Sequence, residues 1–223
     1  MLKTKINVDI NSFPKKIHQF LENAEIYDSS SNPSITVLYS DLGYYVKIAE
    51  KGSLSRESDM NKLLYHNKIG VELISYVSED KDYMVTCAAK GQDATHYLAD
   101  PERLCEALAK AMRFLHTRPI DDIPVSSYME NINNDLKHNV IKQDTFIHGD
   151  FCLPNIIFDN WQFSSFIDVG MAGIGDRHID IYWALWSLNF NLKTNKYSEY
   201  FLNLYGKENY DRRALRIIAE IES

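Results

Sequence analysis

Two carboxylates and an amide, Asp150, Asn155 and Asp168, are the side chains of this sequence best suited to chemistry, and one stretch from Phe146 to Gly173 carries all three. An apolar pair, Phe146-Ile147, leads into His148-Gly149-Asp150. Asn155-Ile156-Ile157-Phe158 reads as a strand closed by an Asp159-Asn160 turn. A second strand, Phe163 to Ile167, delivers Asp168. Apolar runs bounded by Asn, Asp and Gly mark a hairpin, so the three polar groups fall at strand ends on one hairpin. Mg²⁺ takes hard oxygen ligands, commonly one or two carboxylates completed by substrate phosphates. Asp168 and the Asn155 amide oxygen suit that role. Asp150, with no metal to hold, can orient a hydroxyl and take its proton. Phosphoryl transfer is the reaction that needs such a set, because it asks the protein for positioning and charge neutralisation more than covalent chemistry.

Protein kinases build the same apparatus from a catalytic-loop Asp, an Asn and a metal-binding Asp. A narrower likeness is present here. His148-Gly149-Asp150-Phe151-Cys152-Leu153-Pro154-Asn155 resembles the catalytic loop of the aminoglycoside 3'-phosphotransferase family. Phe166-Ile167-Asp168-Val169-Gly170 resembles its metal-binding turn, and Asp176-Arg177-His178-Ile179-Asp180-Ile181 the segment that follows, in the same order and local spacing.

That resemblance implies an α+β, two-lobed protein-kinase-like fold. A small β-rich lobe would span residues 1–87, a hinge 88–91, and a mainly helical lobe 92–223. It implies ATP, or GTP, as phosphoryl donor with Mg²⁺, and a small hydroxylated acceptor such as an aminoglycoside, hence antibiotic resistance. Lys47 would grip the α/β-phosphates and Glu57 would anchor Lys47. Tyr45, on the same strand face as Lys47, would flank the adenine. Cys87 and Ala89 would meet the adenine edge through their main chain. The polar turn Asp28 to Ser34, with Asn32 and Ser34, would lie over the phosphates through hydroxyls and backbone N–H groups, although it lacks a glycine-rich signature. His148 would hold the loop by bonding backbone, and Asp180 would brace it through backbone N–H groups. Glu220 and Glu222 fall near a substrate-binding carboxylate, with the terminal Ser223 carboxylate close by.

The sequence also departs from the family. The segment between Pro124 and Phe146 is short. Met171 stands where arginine is common, and Trp186, Phe190 and Asn191 stand where an arginine and two acidic residues are common. Aminoglycosides are polycations that meet clustered carboxylates, so the kinase chemistry is better specified than the acceptor. A kinase for another small hydroxylated compound, or a nucleotide-binding pseudoenzyme, remains an alternative on sequence alone.

The elements that must position these groups are legible in outline. Residues 14–24 pattern as an amphipathic helix with Ile17, Phe20 and Leu21 on one face. Strands are expected at 35–39, 44–48, 72–76 and 83–87. A helix over 53–66 would be capped by Ser53 or Ser55. Asp100-Pro101 opens a further helix, as N-cap and first helical residue. Tyr128 to Lys142 reads as partly helical. A helix over 177–188, ended by Asn189-Phe190-Asn191, carries an aromatic stripe that the pattern assigns to the core.

Composition bounds the rest. The 223 residues include 45% hydrophobic and 25% charged residues, an ordinary globular balance. A net charge of −7 argues against nucleic acid as a partner. Cys87, Cys105 and Cys152 are odd in number and widely spaced, as expected of a reduced, cytoplasmic chain. No secretory signal or bilayer-length apolar run is seen, and no obligate protein partner is inferred.

Overall fold

Along Tyr44-Tyr45-Val46-Lys47-Ile48-Ala49-Glu50 the side chains alternate between two apolar environments, which suits a central strand. Tyr44, Val46 and Ile48 pack with Ile17, Phe20 and Leu21 on one face. Ala49 packs with Leu54 and Met84 on the other. The computed structural model describes residues 4–131 and 141–222, and the chain divides into two units, Met1–Ala89 and Lys90–Ser223.

The first unit holds a six-stranded sheet of β1 (Thr4–Ile6), β2 (Ile26–Asp28), β3 (Thr36–Ser40), β4 (Tyr44–Glu50), β5 (Leu73–Ser78) and β6 (Lys81–Cys87), in the order β1-β2-β3-β4-β6-β5. Every neighbouring pair is antiparallel. The segment expected as an amphipathic α-helix forms a 3₁₀ turn, Lys15–Phe20. Its buried Ile17 and Phe20 are three apart, a spacing that 3₁₀ geometry stacks on one face. Helix α1 (Ser55–His66) has Leu54 at its N-cap and no side-chain cap. This corrects the expected serine cap: the Ser53 hydroxyl bonds the Glu50 carbonyl instead.

In the second unit α2 (Pro101–His116) starts as the sequence implies, with the Asp100 carboxylate accepting the Arg103 N–H at 3.2 Å. Leu104, Leu108, Ala111, Met112 and Leu115 are buried along one face. Each of the leucines and the methionine contributes about 1.5–3 kcal/mol on full burial. Two small sheets follow. β7 (Gln92–Asp93), β9 (Ile156–Asp159) and β10 (Gln162–Phe166) form one, and β8 (Thr145–Ile147) with β11 (Gly173–Gly175) the other. The β9–β10 turn, Asn160-Trp161, has positive φ at both central residues, as a tight hairpin requires. Among the described residues the remaining α-helices are α3 (Ser127–Asn131), α4 (Arg177–Leu192), α5 (Ser198–Tyr205) and α6 (Arg212–Ile221). α2 packs along α5, and α4 against α6.

Two further expectations need correction. α4 does not stop at Asn189–Asn191. The Asn191 amide bonds the Ser187 carbonyl within the helix, which ends at Lys193 in the left-handed region. Its aromatic stripe is also not all core, since Trp186 and Phe190 are 46% and 58% exposed. The rest of the 128–142 stretch, residues 132–140, and the terminal Ser223 carboxylate lie outside the described residues.

Candidate active site

The loop from His148 to Asn155 leaves β8, whose partner β11 fixes its direction. Gly149 turns it with φ +82°, and a Cβ there would fall 2.6 Å from the Met171 carbonyl oxygen. Only glycine meets both conditions. The loop is fastened from α4. Asp180, fully buried, accepts the His148 N–H through Oδ2 and the Gly149 N–H through Oδ1, both at 2.8 Å. The Ser187 hydroxyl, two turns further, accepts the Leu153 N–H at 3.0 Å. His116 at the end of α2 completes the support, with Nε2 3.0 Å from Asp180 Oδ2 and Nδ1 2.8 Å from the Tyr205 hydroxyl. A carboxylate only accepts, so His116 Nε2 carries a proton toward Asp180.

His148 has both ring nitrogens engaged. Nε2 lies 3.0 Å from the Ile167 carbonyl, and Nδ1 accepts the Asp150 N–H at 3.3 Å. It ties the loop to the residue before Asp168 and leaves no lone pair for base chemistry.

Asp150, Asn155 and the turn bearing Asp168 are joined by hydrogen bonds. The Asn155 side-chain NH₂ donates to Asp150 Oδ2 at 2.8 Å and to the Asp150 carbonyl at 3.1 Å. Both partners are acceptors, so the amide nitrogen must face them and Oδ1 is the atom left for a cation. The Ile167 N–H donates to the Asn155 carbonyl at 3.0 Å. Asp168 follows in the left-handed region, φ 57° and ψ 51°, and its side chain is exposed. Non-glycine residues in that region gather at functional sites. One carboxylate and one amide oxygen are a partial set of hard donors. Among the described residues no three His, Cys, Asp or Glu side chains gather to hold a metal. A protein-complete cage is therefore absent there, and the donors present fit Mg²⁺, whose shell substrate phosphates complete. Cys152 is half-buried between these residues, and burial, with Asp150 beside it, pushes its thiol well above the usual range.

In the first unit, Lys47 Nζ meets Glu57 Oε2 at 2.7 Å, with the two side chains 12% and 8% exposed. Glu57, in the first turn of α1, is thus a buried partner rather than a solvated one. Tyr45 shares the Lys47 face of β4 and packs its ring 5.0 Å from Tyr39. Asn32 and Ser34 lie in the β2–β3 loop, where the Ser34 N–H donates to Asn32 Oδ1 at 2.9 Å. Both residues are exposed. The Cys87 N–H donates to the Glu72 carbonyl at 2.9 Å, so what Cys87 can offer an adenine edge is its carbonyl. Ala89 lies two residues further on, after Ala88, whose N–H donates to the Gly43 carbonyl at 2.8 Å.

The two carboxylates expected to meet the acceptor differ in their surroundings. Glu220 is exposed on α6, whereas Glu222 accepts a hydrogen bond from the Tyr128 hydroxyl. Burial and that carboxylate raise the Tyr128 phenol far above its ordinary range. Tyr128 packs with Tyr182, Trp183 and Ile221 around Met129, Ile147, Ile179 and Ile218. Trp186 and Phe190 continue the stripe as parallel rings 5.3 Å apart. Tyr128 and Ser187 escaped sequence reasoning, since each acts through a partner distant in the chain.

Residues 127–216 match the phosphotransferase enzyme family. A probable aminoglycoside 3'-phosphotransferase of Lactococcus lactis subsp. lactis (strain IL1403) is 37% identical, over 96% of this chain and 95% of the relative. The chain belongs to the aminoglycoside 3'-phosphotransferase family. It is a phosphotransferase, a kinase-type enzyme, and the matched residues include the loop that carries Asp150. An aminoglycoside 3'-phosphotransferase of Niallia circulans is 29% identical, over 70% of this chain and 72% of the relative. The fold has the same kinship. An aminoglycoside phosphotransferase from Streptomyces rimosus superposes with a TM-score of 0.68 at 21% identity, over 91% of this chain and 89% of that one. An aminoglycoside 3'-phosphotransferase of type VIII gives 0.66 at 20% identity, over 87% and 90%. This is the α+β kinase-like fold of the family. No helix among the described residues is long and apolar enough to cross a membrane.

Proposed function

We propose that this enzyme transfers the γ-phosphoryl group of ATP to a hydroxyl of an aminoglycoside, the 3'-hydroxyl by kinship. The observation that carries the reading is the Asn155–Asp150 hydrogen bond beside the Asp168 turn. It holds a carboxylate oxygen in a set orientation, next to donors that fit a magnesium-loaded triphosphate. The Streptomyces rimosus relative was solved with ADP and streptomycin, which supports a nucleotide and an aminoglycoside-type acceptor here.

Asp150 orients the acceptor hydroxyl and takes its proton as the oxygen attacks the γ-phosphorus and the bond to the β-phosphate oxygen breaks. Asn155 and Asp168 would hold Mg²⁺, which when bound would neutralise charge on the transferring group. Lys47 draws in the α/β-phosphates, and Glu57 keeps Lys47 extended. Asn32 and Ser34 contact phosphates, Tyr45 flanks the adenine, and Cys87 and Ala89 meet its edge. Met1–Ala89 thus supplies the nucleotide ligands, and Lys90–Ser223 the transfer and acceptor groups. Glu220 and Glu222 face acceptor ammonium groups. The exposed Trp186 face adds an aromatic surface for sugar C–H groups or an ammonium.

The test is direct. Purified enzyme, ATP and Mg²⁺ are incubated with kanamycin-like compounds, and the products are read by mass and phosphorus NMR. The expected product carries one added phosphoryl group on a hydroxyl. ATP left unconsumed with every member of the panel contradicts the acceptor assignment.

A further inference from the structure

Asp82 is a fully buried carboxylate to which the reaction above gives no task. It lies near the start of β6, paired with Ala49 of β4 on one side and Ser78 of β5 on the other. Its Oδ2 accepts the Leu54 N–H and the Tyr76 hydroxyl, each at 2.9 Å. Oδ1 is buried with no donor in hydrogen-bonding geometry. A carboxylate held this way is a costly means of joining a strand to a helix, and packed apolar groups stabilise such a junction at least as well.

What Asp82 joins gives it a purpose. Leu54 immediately precedes α1, and α1 has no side-chain cap. Asp82 reaches across from a strand to supply what a cap supplies locally, an acceptor and a negative charge at the helix N-terminus. Glu57 stands in the first turn of that helix. On β6, Met84 shares the Asp82 face and is the cross-strand partner of Lys47. Leu54, Ala49 and Met84 pack as one cluster with Tyr76 against it. Asn61 closes the frame, its amide donating to the Glu57 carbonyl at 2.9 Å and lying 3.8 Å from Met84 Sδ. One side chain therefore sets the end of α1, which carries Glu57, against the strand that registers Lys47.

We infer that Asp82 is a positioning residue for the Lys47–Glu57 pair: it pins the start of α1 to β6 so that Glu57 meets Lys47, and acts on the nucleotide only through them. This rests on the proposal that Lys47 binds the nucleotide phosphates.

The test is a double-mutant cycle on ATP affinity, measured calorimetrically on the full chain with Mg²⁺. Asp82→Ala is expected to weaken ATP binding about tenfold and to leave the acceptor KM unchanged. Asp82→Asn, which keeps an acceptor for Leu54, restores most of that affinity. In a Glu57→Gln background, Asp82→Ala adds less than about twofold, because its route is already cut. Unaltered affinity in Asp82→Ala overturns the inference, and so does the full tenfold loss in both backgrounds, which marks a general structural effect. Should Asp82→Ala fail to fold, Asp82→Leu, which fills similar space without an acceptor for the Leu54 N–H, runs the same cycle with the same two criteria. If Glu57→Gln alone leaves ATP affinity intact, the Lys47 proposal itself fails and takes this inference with it.

Discussion

The side-chain amide of Asn155 donates to the Asp150 carboxylate at 2.8 Å, so one residue both aims the carboxylate and keeps its own oxygen for a cation. In the proposed reaction the two jobs meet at a single side chain. Replacing Asn155 by Ala should therefore lower kcat and weaken the magnesium dependence together. Steady-state kinetics across a magnesium titration separates this from a change confined to one parameter.

Asp168 should matter to the nucleotide through the metal alone. Asp168→Ala is expected to erase most of the gain in ATP affinity that Mg²⁺ brings, while affinity without Mg²⁺ stays near that of the parent. Titration calorimetry with and without Mg²⁺ reads it. An affinity gain from Mg²⁺ that survives in the variant removes Asp168 from the metal site.

Asp180 joins two backbone N–H groups to His116 in a site closed to water. Asp180→Ala leaves the His148 and Gly149 N–H groups buried without an acceptor, at a cost of about 1–3 kcal/mol for each. Urea unfolding should show that loss, and residual activity should fall even where the protein remains folded. A variant with parental stability and kcat contradicts the bracing role.

Asp176 caps α4 and bonds His178 at 2.5 Å. Burial on its own pushes this carboxyl up. The His178 side chain and the His178 and Lys142 N–H groups outweigh it and hold the carboxyl below its ordinary value of 3.8. A depressed carboxylate stabilises the fold above the unfolded value and loses that contribution as pH falls through the folded one. Stability should therefore drop below about pH 4. Asp176→Asn should be less stable than the parent at pH 7, with the gap closing in acid. Parallel stability curves down to pH 2 would show that Asp176 is not the group responsible.

Trp186 should act on the acceptor and not on the donor. Trp186→Ala is expected to raise the acceptor KM about tenfold with the ATP KM unchanged, the size of one good cation–π or stacking contact. Equal KM values in parent and variant make the exposed stripe irrelevant to the acceptor.

What the sequence made legible was local. The His148–Asn155 loop, the hairpin after it and the Asp100-Pro101 helix start are each defined by residues close in the chain. Their spacing carries their geometry. The Ser187–Leu153 bond, the Tyr128–Glu222 bond and the β8–β11 pairing join residues far apart, and no spacing rule announces them. The serine caps expected for α1 failed for the same reason, because its acceptor, Asp82, arrives from a strand 28 residues away. The aromatic stripe of α4 shows another limit. Periodicity says that Trp183, Trp186 and Phe190 lie on one flank of a helix, but not that anything covers the flank.

The most direct measurement is phosphoryl transfer from γ-labelled ATP to an aminoglycoside by the parent enzyme and by Asp150→Ala, with ATP affinity measured on both. The parent should give labelled aminoglycoside, and Asp150→Ala should bind ATP as tightly while transferring about a thousandfold more slowly. Label transfer by Asp150→Ala at the parental rate would contradict the account.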